Sequence, residues 1–249
     1  MRNLKLFDTT ASYEAAESGL ILPNVSLITE NGNVMYKGGS PAPSHDYVEI
    51  AGIKWATMNI GAESITDYGL YFQWGDTQGY TAAQVGSGSG KKYFGWADYK
   101  YGDGTSSPSN TGITKYNSTD GLTVLEASDD AVTAAWGNGW RLPTKDEFVA
   151  LGAAVNTTMT NNYQGSGVSG LVCTDKTDSS KVLFFPTGGD CSNGSVGSVG
   201  RIGNYLSSSL HATDGIQYFY GFFISSYSKG WDSKFVRYYG LLARGVMNE

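Results

Sequence analysis

The sequence predicts an α+β fold: short strands with two short helices and long loops, preceded by a small helix-plus-hairpin module. Three observations lead there. The 249 residues include 34 glycines and are 40% hydrophobic and 16% charged, the composition of an ordered, loop-rich globular protein. Apolar residues come in short stretches, several alternating with polar ones and bounded by Gly, Ser and Asn clusters, which is the pattern of strands and turns. In the main body, N-cap residues stand ahead of helical spacing at two places, Ser128 and Thr144. The length suffices for one large domain or two modest ones with a real core.

Residues 1–40 read as a separate module. Asp8 or Thr9 can cap a short helix through Tyr13, Ala15, Ala16 and Glu17, stopped by Gly19. NVSLITENGNVMYKG then alternates on either side of Asn31-Gly32, the strongest short-range hairpin signal. A helix and a hairpin bury too little to fold well alone, so this module is expected to lean on the main domain or on other copies. GGSPAPS, Gly38 to Ser44, is linker by composition. The expected boundaries are therefore 1–40, a linker at 41–46, and a main domain at 47–249.

In the main domain, Tyr47 to Trp55 alternates as a strand, with Val48, Ile50 and Ile53 on its apolar face and Gly52 at a turn. Tyr68 to Trp74, YGLYFQW, reads as a second strand. From Gly75 to Ser118 no period is sustained, so this is loop, and loops of that length are usually functional or decorative. Ser128 is the expected cap of a helix with Asp129 and Asp130 in its first turn, where negative charge favours the helix dipole. That helix runs over Ala131 to Trp136 and ends at Gly137.

The chain is organised around Gly137 to Phe148, GNGWRLPTKDEF. Thr144 and Glu147 have capping-box spacing, and Pro143 keeps Leu142 extended. A helix is expected from Lys145 to Ala154, with Phe148 and Leu151 facing inward. Trp140 and Arg141 sit at its corner, an indole to bury beside a cation that needs acceptors, which suits a structural hub better than an active site. Beyond it, Leu171 to Thr174 and Lys181 to Phe185 read as strands around a turn at Thr177 to Ser180. Gly188 to Gly203 reads as loop, and Ile216 to Ser226 and Lys234 to Ala243 as aromatic strands.

Composition and motifs exclude several function classes. A formal charge of −6 repels nucleic acid and anionic membranes, no run approaches the roughly 18 apolar residues of a membrane span, and no secretory leader is visible, since the apolar pair Leu6-Phe7 ends at Asp8. Two cysteines, Cys173 and Cys191, are too few for a disulfide framework, and their pairing stays open. His45, in the linker, is expected to be solvated and without a role. His211 is expected to be a ligand contact or a surface residue rather than a base, because no acid is placed by motif to orient it. There is no HExxH and no Cys/His cluster, and GSGSGKKY at Gly86 to Tyr93 lacks the GKS or GKT of a P-loop. No catalytic residue, no metal and no cofactor is expected.

The positive signal lies between Tyr205 and Tyr239. Of the 17 tyrosines and 6 tryptophans, many gather here among Ser, Asp and His, the residue types that combine rigid contact area with adaptable hydrogen bonding. By strand alternation Tyr218, Tyr220 and Phe222 share one face, while Phe219, Phe223 and Ile224 can feed the core near Gly221. The expected ligand-binding set is Tyr205, Ser207, His211, Tyr218, Tyr220, Phe222, Tyr227, Trp231, Asp232, Ser233, Tyr238 and Tyr239. The expected structural set is Trp140, Arg141, Pro143, Thr144 and Glu147.

Four stretches carry a family resemblance. GWRLPTKDEF resembles the GWRLPT-x-x-E-[WF] signature of the Fibrobacter succinogenes major paralogous domain, a branch of the C-type-lectin-like fold. Val48 to Thr77 is similar to its opening V-x-I-G-G-x-x-W-A-x-x-N-x-G and Y-G-x-Y-x-x-W-G. Phe184 to Ser209 is similar to F-x-P-x-x-G with G-x-x-G-x-Y-W-S-S-S, and Arg237 to Val246 to R-x-x-G-x-x-V-R-x-V. Leu206 stands where Trp is usual, and Ala243 and Gly245 stand where Val and Pro are usual. The sugar-binding calcium triplets of that fold are absent, so metal-dependent sugar binding is not expected. At the N-terminus LFDTTASYEAAESGLILPNVSL, Leu6 to Leu27, resembles the pattern L-F-x-T-x-x-x-Y-x-A-A-x-S-G-L-x-x-P-N-V-S-L of short segments on predicted structural proteins of Bacteroidales phages.

The resemblance implies a C-type-lectin-like domain, α+β with mixed, mostly antiparallel sheets, like those of diversity-generating retroelement variable proteins. In those, a C-terminal segment with such boundaries, here 203–246, varies at exposed residues. The implied function is non-enzymatic ligand or receptor binding in phage host recognition or surface display, on a virion tail or at a cell surface. Its partners would be a host-surface protein or glycan, and other virion subunits through residues 1–40. Trimers are common among tail-tip proteins, so a homotrimer is the assembly to test. The alternatives are a structural virion or cell-surface protein without a diversified site and, more remotely, an oxidase like the formylglycine-generating enzymes.

Overall fold

The computed structural model describes residues 26–30, 33–37, 45–105, 112–137 and 139–247. The expected helix near residues 8–17 and most of the linker lie outside the described residues. The chain divides into two compact units, Met1–Ser44 and His45–Glu249. In the first, β1 (Ser26–Glu30) and β2 (Asn33–Lys37) pair antiparallel with Glu30 opposite Asn33, as the expected hairpin requires; its expected turn, Asn31-Gly32, lies outside the described residues.

The second unit is α+β, mostly strand with two α-helices among its described residues. β3 (Tyr47–Ile50) and β4 (Ile53–Asn59) form a hairpin over Ala51-Gly52, both with positive φ, 55° and 72°, the backbone of the two-residue turn that matches strand twist. β5 (Tyr71–Phe72) is all that remains strand of the aromatic run Tyr68 to Trp74. The region 75–118 is irregular, as expected, but it is not a surface loop throughout: Phe94, Tyr99, Tyr101, Ile113 and Tyr116 are buried.

Helix α1 (Ala131–Trp136) is capped by Asp130 rather than Ser128. The Asp130 carboxylate accepts the N–H groups of Val132 and Thr133 at 2.9 and 3.0 Å and, from twelve residues on, that of Leu142 at 2.8 Å. One buried carboxylate thus closes the helix start and holds the returning chain. Asp129, expected in the same turn, faces the other way: Lys100 (3.1 Å), Lys115 and the Tyr116 hydroxyl (2.6 Å) all donate to it. Gly137, at φ 63°, ends the helix as expected.

β6 (Trp140–Arg141) leads into α2 (Lys145–Ala154). The capping box is made: Thr144 Oγ1 accepts the Glu147 N–H at 3.2 Å and Glu147 accepts the Thr144 N–H at 2.7 Å. Arg141 forks onto Glu147 at 2.8 and 2.5 Å, the pairing that guanidinium planarity favours. Trp140 is buried, and the Pro143 carbonyl accepts the Ser208 N–H at 2.8 Å. His45 is not solvated: it stacks on Trp136 with centroids 3.9 Å apart, because the corner presents two indoles to it.

After α2 come β7 (Val155–Thr160), β8 (Gly170–Asp175) and β9 (Val182–Pro186), an antiparallel three-stranded sheet. The glycine-rich stretch expected as loop contains a small hairpin, β10 (Asp190–Ser192) with β11 (Ser195–Gly197). β12 (Ile202–Leu210) and β13 (Tyr218–Ser225) follow. The last expected strand is instead β14 (Lys229–Val236), a turn, β15 (Leu241–Leu242) and β16 (Arg244–Met247). The larger sheets have the orders β14-β13-β12-β15-β5 and β3-β4-β16-β6.

The five-stranded sheet is covered on both faces. On one, α2 places Phe148 and Leu151, both fully buried, with Phe148 5.5 Å from Trp55 and 5.3 Å from Phe222. Each such ring contributes about 1.5–3 kcal/mol by leaving water. On the other, Trp74 lies 5.8 Å from Phe219 and 5.1 Å from Tyr116, so the long irregular region supplies the second apolar layer.

Candidate ligand-binding face

β13 runs between β12 and β14, and its side chains alternate across the sheet. Phe219 points to the Trp74 side, while Tyr218, Tyr220, Phe222 and Ile224 share the side that carries α2. The helix covers only one end of that row. Phe222 and Ile224 are fully buried under it, whereas Tyr218 and Tyr220 are half-buried beyond its N-terminus. Trp231, from β14, closes the covered end by stacking on Phe222 at 4.2 Å. A Cβ at Gly152 would stand 2.5 Å from its indole, so glycine is what lets α2 approach.

The open end is a polar aromatic patch. The His211 ring lies 4.6 Å from Tyr220, Lys145 Nζ stands 5.1 Å over the Tyr220 ring, and Lys234 Nζ stands 4.3 Å over that of Tyr218. Lys234 also pairs with Asp214 at 3.1 Å; exposed on both sides, that pair contributes at most about 1 kcal/mol. The segment 211–217 is held by its own bonds: His211 Nδ1 accepts the Asp214 N–H at 3.1 Å, and the Asp214 carbonyl accepts the Gln217 and Tyr218 N–H groups at 3.0 Å. Burial keeps His211 below its ordinary pKa of 6.5, so at neutral pH its free Nε2 carries the proton and can donate. Asp232 is exposed on the neighbouring strand. Beside His211 opens a cleft of about 270 Å³, lined among others by Tyr116, Leu122, Leu210, Ala212 and Ile216.

The expected ligand-binding set is thus divided. Tyr205, Ser207 and Phe222 are inside and belong to the scaffold, a correction to the sequence reading. The Tyr205 hydroxyl donates to the Pro186 carbonyl at 2.7 Å, and Ser207 Oγ donates to the Tyr220 carbonyl at 2.5 Å. Trp231 and Ser233 are half-buried, Ser233 Oγ donating to the Gly230 carbonyl at 3.3 Å. Tyr238 and Tyr239 lie apart, half-buried in the turn after β14, with Tyr238 5.1 Å from Trp96. Tyr227 stands on the β13–β14 hairpin tip, 98% exposed. His211, Tyr218, Tyr220 and Asp232 remain at the patch, joined by Lys145, Lys234 and Asp214, which meet there only through folding.

The closing R-x-x-G-x-x-V-R-x-V residues are structural. Arg237 and Arg244 are fully buried, and the bonds that hold them run to neutral acceptors. Arg244 donates to Asn59 Oδ1 (2.8 Å) and to the carbonyls of Ala56 (2.9 Å), Thr57 (3.0 Å) and Phe184 (3.0 Å). Arg237 donates to the carbonyls of Lys115 and Tyr116 and lies 4.9 Å over the Trp74 ring. At the departures from the motif, Leu206 and Ala243 are buried, and a Cβ at Gly245 would stand 2.3 Å from Trp136.

The patch offers aromatic surface, cations and acceptors, but not the geometry of a hydrolytic triad. His211 Nδ1 accepts a backbone N–H, the reverse of a triad histidine, whose Nδ1–H donates to an acid. Cys173 and Cys191 are free and buried, and burial pushes both thiols up to about 12, so neither is a ready nucleophile at neutral pH. Among the described residues no group of three or more His, Cys, Asp or Glu could hold a metal ion, and no helix is long and apolar enough to cross a membrane. No family model, curated protein or solved structure matches the chain.

Proposed function

We propose that residues 47–249 form a C-type-lectin-like domain that binds a ligand without metal or catalysis, as a variable protein of the diversity-generating retroelement type. The setting is phage host recognition or surface display, on a virion tail or at a cell surface. The ligand is a host-surface protein or glycan, and residues 1–40 serve assembly. One observation carries this reading. Within 203–246, Gly203, Tyr205, Arg237, Gly240, Arg244 and Val246, which match the motif boundaries, are buried. Between them, Tyr218, Tyr220, Tyr227, Asp232 and Lys234 reach solvent. A scaffold anchored from within leaves those surface positions free to change at little cost.

The test is binding of labelled protein to intact gut bacteria and to immobilised glycans, compared with a His211→Ala/Tyr218→Ala/Tyr220→Ala variant that keeps its melting temperature. Loss of binding supports the patch as the contact surface; undiminished binding removes it. Flanking DNA supplies an independent check: a near-repeat of the coding sequence for 203–246 that differs at adenines, beside a reverse transcriptase gene, supports diversification. Absence of both favours a structural surface protein.

A further inference from the structure

Tyr227 is 98% exposed, so burial does not explain it. Nor does turn chemistry: the three residues between β13 and β14 are Ser226, Tyr227 and Ser228, and hairpin tips favour Gly, Asn, Asp and Ser over a bulky ring. The tip is nevertheless fixed. Ser225 Oγ accepts the N–H groups of Tyr227 at 3.3 Å and Ser228 at 3.0 Å, and the Ser225 N–H donates to the Ser228 carbonyl at 2.8 Å. The ring is therefore presented by a closed turn, which lowers the entropy that a bound ligand would have to remove.

Beside it lies an open groove of about 600 Å³, lined among others by Thr160, Asn161, Ser169, Arg201, Ser226 and Tyr227, within the size range of small-molecule sites. Its lining is hydroxyl, amide and backbone, with the Met159 thioether, one aromatic ring and a single charge, Arg201. Among the described residues the Arg201 guanidinium, the Asn161 amide and the Tyr227 hydroxyl have no hydrogen-bond or ion-pair partner. The lining contains no carboxylate, although the chain carries a charge of −6.

We propose that this groove binds an acidic saccharide, a sugar residue that bears a carboxylate. Its weakly positive C–H face would lie on the negative face of the Tyr227 ring. Its carboxylate would take the Arg201 fork, whose planar donors match that geometry, and its hydroxyls would meet Asn161, Thr160 and Ser226. An anchoring apolar side chain of a peptide would find Met159 and the Tyr227 ring but no enclosed apolar pocket, because the rest of the lining is polar. The inference rests on the reading of 203–246 as a recognition face and names a ligand class for its hairpin end.

The experiment is saturation-transfer NMR and calorimetry on the full chain with three probes: trigalacturonate, 3′-sialyllactose and lactose. Trigalacturonate represents uronate polymers of bacterial capsules, and sialyllactose the sialylated glycans of mucosal surfaces. Binding of either acidic probe, none of lactose, and a loss of about tenfold or more in Tyr227→Ala and in Arg201→Gln are expected. Tyr218→Ala/Tyr220→Ala is expected to bind as the parent does. No binding of either acidic probe, equal binding of lactose, or acidic binding untouched by Tyr227→Ala and Arg201→Gln overturns the proposal. Failure here leaves the Tyr218 and Tyr220 patch standing if that variant loses cell binding; success here stands even if it does not.

Discussion

The indole of Trp231 lies 4.2 Å from the ring of Phe222 and 5° from parallel to it. That stack, roofed by α2 at Gly152, divides one face of β13 into a sealed half and an open half. The sealed half belongs to the core, and the open half, with Tyr218 and Tyr220, belongs to the surface.

Gly152→Ala tests the seal. The new methyl would stand 2.5 Å from the Trp231 ring, and the ring is held between helix and sheet. The expected cost is about 1–3 kcal/mol, read from urea unfolding, with a red shift of tryptophan fluorescence as the indole is displaced. A neutral or stabilising result would mean that the helix stands farther from the sheet.

Asp129 sets an acid-sensitive joint. Burial alone would raise its pKa, but hydrogen bonds from Lys115, Tyr101, Tyr116 and Lys100 outweigh burial and hold it well below the ordinary 3.8. Because the folded value is the lower one, this contribution is complete above about pH 5 and is lost as pH falls through 3.8 toward the folded value. Asp129→Asn is expected to cost about 1.5–3 kcal/mol at pH 7 and to flatten the stability profile between about pH 5 and pH 2, measured by denaturant titration across that range. An unchanged acid limb would remove Asp129 from the account.

The two cysteines supply a probe of core integrity. With both thiols pushed up to about 12 and both side chains buried, native protein at pH 8 is expected to react negligibly with an aromatic disulfide reagent, and both thiols to react after unfolding. Fast modification of native protein would contradict the packing of β8 and of the β10 hairpin.

What the sequence shows and what it hides follows the range of the forces involved. Thr144 and Glu147 were legible because a capping box is written within three residues. Asp130 does not stand out from Ser128 as the cap in the sequence, because one of its partners, the Leu142 N–H, comes from twelve residues away. Alternation correctly put Tyr218, Tyr220 and Phe222 on one face. It could not show that α2 covers the Phe222 end of that face and leaves Tyr218 and Tyr220 open, since that depends on a helix far earlier in the chain. Lys145 and Arg201 carried no signal because each gains its meaning from neighbours brought in by the fold, and Tyr205 and Ser207 read as binding residues because buried and exposed polar tips look alike in a string of letters.

The most direct test of the account is a pair of randomised libraries in surface display, sorted for protease resistance. One varies Tyr218, Tyr220, Tyr227, Asp232 and Lys234, and the other varies Gly152, Tyr205, Phe222, Arg237 and Arg244. Most members of the first are expected to remain as resistant as the parent, at about 0.5 kcal/mol or less per site, and most of the second to be unfolded. Libraries that fail alike, or a first library that fails while the second survives, would contradict the division of this segment into a fixed scaffold and an exchangeable face.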